Sequence, residues 1–395
     1  MAISIKDSKT NSSPKRLPNL DILRGLAAGL IFLFHFFALY KPEKGAQWDN
    51  LNYYISRYFG MGVPLFFALS GLSLYFGYFN QRNAPNFTKE FIIRRYFRIA
   101  PLFYLAYLAW LSIFISRGVE FQFDTFILNA SLAFNIVPGK HESLVAAGWS
   151  VGVEVIFYGL FPLIVTFINS NRRALIGLAG ALLFSTYAYQ QIKLALPNSS
   201  CAEFAFASHI PFFSLGITVF FLQQHLPLQQ SSLRRGLACV MLIGIFVISI
   251  WVLASGWLYS ISSPPVSVMR LLWALPIGTI LLLACWGSLP IVTAPLEKLG
   301  HWSFSLYLLH PLIIYFHNEY AVKHLFLTLS PSVRFGLFLL IAASSLVALS
   351  ALTYRYIEQP GIRLGRWLTK RRDVMQEDRS IAPGVNEDSN PVVKT

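Results

Sequence analysis

The chain has 395 residues, of which 55% are hydrophobic and 13% charged, whereas soluble globular proteins usually run about 45–50% apolar and about 25% charged. With a mean hydropathy of +0.54, the composition excludes a cytosolic enzyme, a disordered chain and a collagen-like fibre, and points to a polytopic membrane protein. The formal net charge is +14, and the basic residues lie between apolar runs, which fits membrane topology plus anionic headgroups or an anionic ligand on one face.

The N-terminal segment, 1–19, is polar and carries Lys6, Lys9, Lys15 and Arg16. It is too long and too polar for a cleaved signal peptide. A membrane-spanning helix needs about 20 apolar residues. Runs near that length predict ten helices, at 20–40, 60–79, 99–116, 148–168, 174–190, 204–222, 237–254, 270–289, 300–317 and 335–354. A further run, 125–137, is too short to span and is expected to lie at an interface or to re-enter. No strand alternation appears, which excludes an outer-membrane barrel. Cys201, Cys239 and Cys285 define no disulfide framework.

Charge sets the expected orientation. Ten spans put both termini on one side. With the termini in the cytoplasm, 23 of the 32 Lys and Arg fall inside and nine outside. The expected fold is an all-α polytopic membrane bundle of about ten transmembrane helices, with both termini cytoplasmic. Residues 20–360 form the membrane domain. Residues 361–395 form a basic tail that is expected to be disordered past Asp373.

Ionisable groups inside a bilayer are costly and are functional candidates by default. Arg24 and His35 are eleven residues apart in LDILRGLAAGLIFLFHF. At 100° per residue both face one side, separated by about 16 Å along the axis. Arg24 alone reads as a snorkelling anchor and His35 alone as a helix–helix hydrogen bond. Together they outline a pocket for a long ligand with an anionic end. Glu154, in GWSVGVEVIFYG, needs a partner at its depth. That partner is either a structural hydrogen bond or a histidine that it orients. Trp149, at the start of the same segment, reads as an interfacial anchor. His310, in SFSLYLLHPLIIYF, lies at a depth similar to His35, and Pro311 after it should loosen the helix. His209 reads as structural. The cluster RRYFRIAP places Arg94, Arg95 and Arg98 within five residues. Arginine suits bidentate phosphate binding, and the plain alternative is topological anchoring. Ser70, Gly71 and Ser73 read as small-residue packing that admits a neighbouring helix or a narrow ligand.

Taken together, these segments resemble the acyltransferase family 3 group of integral-membrane acyltransferases, over about 18–360. The resemblance rests on Arg24 and His35 as Arg-x10-His, and on GVPLFFALSGLSL with its Phe-Phe-x-x-Ser-Gly signature. It also rests on Arg95, Arg98 and Pro101, on GWSVGVEVIFY with Val151 where the pattern has Leu, and on Gly300, Ser303, Tyr307 and His310 in LGHWSFSLYLLHP. YRYIEQP supplies Glu358 and Pro360. Some relatives carry an additional C-terminal periplasmic hydrolase-like domain, which has no counterpart in these residues.

The resemblance implies an enzyme, an O-acyltransferase of the bacterial inner membrane. It implies an acyl-CoA donor, acetyl-CoA first among them, and no metal. It implies an acceptor hydroxyl on a glycan or lipid-linked carbohydrate beyond the cytoplasmic leaflet. Arg24, Arg95 and Arg98 would meet the donor phosphates. His35 would act as general base or carry the acyl group transiently, with Glu154 or His310 orienting it or supporting the tetrahedral intermediate. Succinyl or a branched short acyl group stays open, as does the oligomeric state. A transporter or flippase also explains ten spans and intramembrane charge, and predicts flux without acyl-CoA turnover. The missing inverted-repeat symmetry weighs against it. A non-catalytic sensor leaves the Arg–His face unexplained.

Overall fold

A computed structural model describes residues 18–40, 49–120, 122–225, 232–255, 266–286, 294–321, 325–326 and 328–381. Among these residues no strand occurs, and the elements are helices. They are α1 (Pro18–Leu39), α2 (Asp49–Tyr58), α3 (Gly62–Tyr78), α4 (Phe87–Ser116) and α5 (Phe123–Ala130). Next come α6 (Trp149–Phe167), α7 (Asn171–Ala195), α8 (Cys201–Phe204), α9 (Phe206–His225) and α10 (Ser232–Ala254). The last are α11 (Val266–Cys285), α12 (Ala294–His301), α13 (Ser303–Phe316), α14 (Pro331–Thr353) and α15 (Gln359–Ile381).

Among the described residues, seven helices or continuous helical runs are long and apolar enough to cross a membrane. They are Pro18–Leu39, Leu51–Gln81, Phe87–Ser116, Trp149–Phe167, Cys201–Gln224, Gly236–Ala254 and Pro331–Lys370. Each matches a predicted span. The other three predicted runs are helical but differ in length or polarity. The 174–190 run lies in α7, where Ser185, Thr186, Gln190 and Gln191 dilute the apolar stretch. The 270–289 run lies largely in α11, whose apolar part is Leu271–Cys285; residues 287–289 lie outside the described residues. The 300–317 run is divided at Trp302 between α12 and α13. The short 125–137 run holds α5, which ends at Ala130.

Two stretches expected as loop or tail are helical. Arg94, Arg95 and Arg98 sit within α4, a helix of 30 residues that begins well before the predicted span at 99. Glu, Lys and Arg are good helix formers, so the helix extends beyond its apolar part. The C-terminal segment continues as α15 to Ile381; residues 382–395 lie outside the described residues.

α1 is central, packing against α3, α12 and α13. α9 lies along α3 and α7, and α4 meets α6 and α15. Close approach at the α3–α9 seam depends on glycine: a Cβ on Gly216 would lie 2.0 Å from the Ala68 carbonyl oxygen. A Cβ on Gly71 would lie 2.4 Å from that of Phe213. This is the small-residue packing that substitutes for a hydrophobic driving force between helices in lipid. Phe157, Phe161, Phe213 and Tyr75 fill the space between α3, α6 and α9. By contrast α10 leaves Val240, Met241, Ile248 and Trp251 exposed, as a helix bathed in lipid would.

Candidate active site

The two histidines meet. His310 Nε2 lies 3.1 Å from His35 Nδ1, with ring centroids 4.7 Å apart. His310 is fully buried, whereas His35 is partly open. Pro311 has a specific consequence here. It has no N–H, so the carbonyl four residues earlier, that of Tyr307, has no helical partner. His310 Nδ1 fills that vacancy at 2.5 Å. The helix continues through Pro311, and the loosening expected there takes the form of this single exchanged hydrogen bond.

The tautomers follow from the partners. A carbonyl oxygen only accepts, so His310 Nδ1 carries a proton toward Tyr307. His35 Nδ1 lies 3.0 Å from the Ile31 carbonyl and therefore carries a proton as well. His310 Nε2 is then the acceptor that faces His35 Nδ1–H. What is left is the lone pair of His35 Nε2, the basic nitrogen of a neutral pair.

The neighbouring wall is held by hydroxyl groups. Tyr307 Oη donates to the Ala147 carbonyl at 2.7 Å and accepts from Ser150 Oγ at 2.7 Å. This ties α13 to the start of α6. Trp149 is packed rather than open: it stacks on Phe204 with centroids 4.7 Å apart and lies beside His209. His209 Nε2 meets the Glu203 carbonyl at 2.7 Å, in keeping with a structural role.

Glu154 does not touch either histidine. Its carboxylate accepts from Ser70 Oγ at 2.9 Å, and Ser70 lies 3.3 Å from Tyr158 Oη. Its electrostatic partners are Arg95 and Arg98. Of the two candidates for orienting His35, His310 stands in contact and Glu154 belongs to the basic end.

That end gathers all three predicted arginines. Arg24 makes an ion pair with Asp21, one helical turn away, and donates from Nη2 to Ser73 Oγ at 2.5 Å. The Arg95 guanidinium is boxed by the rings of Tyr78, Phe91 and Tyr158, at 5.2, 5.6 and 5.4 Å from their centroids. Its Nε is buried without a hydrogen-bond partner. Arg98 is exposed and interacts electrostatically with Arg24, Glu154, Tyr158 and Glu358. Arg94 is committed elsewhere, to Glu90 at 2.9 Å and Thr369 Oγ1 at 3.0 Å. Glu358, buried in the π-helical turn Tyr354–Glu358 that follows α14, accepts from Ser305, which in turn accepts from Thr353 at 2.9 Å.

Several of these groups have no role in the sequence expectations. Asp21 was legible as an i,i+3 partner of Arg24. Ser70, Gly71 and Ser73 read together as small-residue packing that admits a helix or a narrow ligand, and they divide the labour: the glycine packs on α9 and the serines face the site. Tyr78 carries no signal in local spacing, and Tyr158 only its place at the end of GWSVGVEVIFY. Asp21 also lies 3.5 Å from His301 Nε2, and His301 lies 3.8 Å from Glu297. Among the described residues these three form one cluster of metal-ligating type, with ligand atoms within 4.8 Å of one another. Asp21 there is already engaged by Arg24.

Comparison with known proteins places the chain in a family. The acyltransferase family 3 model, described as an acyltransferase domain, matches residues 17–355. The chain is 25% identical to the O-acetyltransferase OatA of Staphylococcus aureus strains NCTC 8325 / PS 47, COL and MRSA252. The alignment covers 91% of this chain and 60% of each relative. The chain thus spans well under two thirds of the length of these relatives. No solved structure matches it. With Arg24, His35, Glu154 and His310 all inside the matched region, the chain belongs to the acyltransferase family 3 group of acyltransferase domains.

Proposed function

We propose that this protein is a multi-pass membrane O-acyltransferase. It moves an acyl group, acetyl first among the candidates, from cytoplasmic acyl-CoA to a hydroxyl of a glycan or lipid-linked sugar at or beyond the membrane. The setting is the bacterial inner membrane, in a bundle of about ten spans with both termini cytoplasmic. The observation that carries the proposal is the hydrogen-bonded pair of His35 on α1 and His310 on α13, with His35 about 16 Å along the α1 axis from Arg24.

The geometry supports a division of roles. Arg24, Arg98 and the boxed Arg95 supply positive charge for the donor phosphates. The separation of about 16 Å along α1 between Arg24 and His35 suits the long, thin pantetheine arm. His35 Nε2 takes the proton from the acceptor hydroxyl as its oxygen attacks the thioester carbon. The carbon–sulfur bond then breaks, and His35 returns the proton to the leaving thiolate. As His35 becomes an imidazolium, His310 Nε2 and the Ile31 carbonyl hold its Nδ1–H. A transient acyl group on His35 Nε2 fits the same geometry.

The test is release of coenzyme A thiol from acetyl-CoA by membrane vesicles carrying the protein. The native chain should release it and His35→Ala should not, at equal amounts of folded protein. Full release by His35→Ala would overturn the chemistry. Substrate flux with no thiol release would favour a transporter.

A further inference from the structure

Helix α15 presents two opposite faces. At 100° per residue, Gly361, Gly365 and Thr369 form one stripe, and Arg363, Arg366, Trp367 and Lys370 fall within an arc of about 100° on the other side. The small-residue stripe is pressed on α4. A Cβ on Gly361 would lie 2.5 Å from the Phe97 carbonyl oxygen and 2.9 Å from Pro101 Cγ. A Cβ on Gly365 would lie 3.1 Å from Phe97 Cβ, and Thr369 meets Arg94. The opposite face is open: Arg363, Arg366 and Lys370 are exposed, and Trp367 is 51% and Leu364 43% exposed.

The contacts fix the depth of this face. The hydrocarbon core is about 30 Å thick, which α4 crosses in about 20 residues counted back from its Ser116 end. That places Phe97 and Arg94, and with them Gly365 and Thr369, at the headgroup level. Tryptophan prefers that level, and clustered Lys and Arg there attract anionic lipid.

We infer that the Arg363–Arg366–Trp367–Lys370 face of α15 docks the phosphate headgroups of anionic phospholipids, on the membrane face where Arg95 and Arg98 stand. Charge complementarity selects the anionic lipid. Trp367 and Leu364 supply the interfacial apolar contact. The lipid and α4 then grip α15 from opposite sides, and the grip bears on the turn of α4 that carries Arg94.

The experiment uses the full chain in phosphatidylcholine vesicles containing either dibrominated phosphatidylglycerol or dibrominated phosphatidylcholine at equal mole fraction. Bromine quenches nearby indole fluorescence, and the Trp367 signal is isolated from the other tryptophans by difference with Trp367→Phe. Quenching of Trp367 should be at least about twofold stronger with the brominated anionic lipid. The excess should vanish at about 1 M salt, where the Debye length shrinks to about 3 Å. It should also vanish in the triple variant Arg363→Gln, Arg366→Gln, Lys370→Gln, whose changes lie on an exposed face. Equal quenching by the two lipids in the native chain would overturn the proposal. An excess that survives the triple variant would overturn its assignment to these residues.

Discussion

The two ends of the α1 face are built on different principles. At the Arg24 end, charge is abundant and almost every group has a charged or hydroxyl partner: Asp21, Ser73, Glu154, Arg95 and Arg98 lie within one electrostatic neighbourhood. At the His35 end, two neutral rings are held by backbone carbonyls and by each other. A charged network suits docking of a polyanion, because charge-assisted hydrogen bonds are strong and orientable. A neutral, carbonyl-fixed pair suits proton transfer, because one nitrogen is left free and its tautomer is set. In the proposed mechanism this difference would assign donor docking to the Arg24 end of α1 and proton transfer to the His35 end.

Substitutions can break that separation, and they rank by size. His35→Ala should cost the most, about 10²–10⁴-fold in turnover, the range for loss of a general base. Donor affinity should change little, which separates it from a docking defect. His310→Ala should come next, at about 10²-fold, because the free nitrogen of His35 survives but its orientation does not. Arg24→Ala should act in the opposite sense: it should weaken donor binding about 10–100-fold, as expected for loss of hydrogen bonds to a charged group, with a smaller effect on turnover at saturation.

Pro311→Ala sharpens the comparison further. It restores an N–H that competes for the Tyr307 carbonyl with His310 Nδ1. Turnover should fall several-fold while donor affinity holds. Unchanged turnover would show that the freed carbonyl does not matter to the pair.

The smallest effect is expected far from both ends. Lys140 pairs with Asp124 on the exposed helix α5 and holds its carboxyl below the usual aspartate range. A lowered folded-state value contributes stability above the unfolded value, near 3.9, and loses it as pH falls through the folded one. Lys140→Gln should therefore lower the melting temperature slightly at neutral pH and not at all in strong acid. Thiol release should be unaffected.

How far these features are legible in the sequence depends on whether they are local. Arg24 and His35 share a helix, so spacing alone puts them on one face. The same holds for Arg95 and Arg98, although the hydropathy of α4 places the start of the span and not the start of the helix. His310 is 275 residues from His35, and apart from the family resemblance, which leaves Glu154 and His310 as alternatives, the hint of their meeting is a similar depth in the bilayer. Glu154 illustrates the limit. Its depth demands a partner, but Ser70 and a histidine satisfy that demand equally well until α3 and α6 are packed together.

The most direct test of the separation is acetyl-CoA binding by calorimetry to purified, detergent-solubilised protein, with Arg24→Ala and His35→Ala measured alongside. Saturable binding that is weakened by Arg24→Ala and retained by His35→Ala is the predicted result. No binding by folded native protein, or an equal loss in both variants, would contradict the assignment of docking to one end of the helix and chemistry to the other.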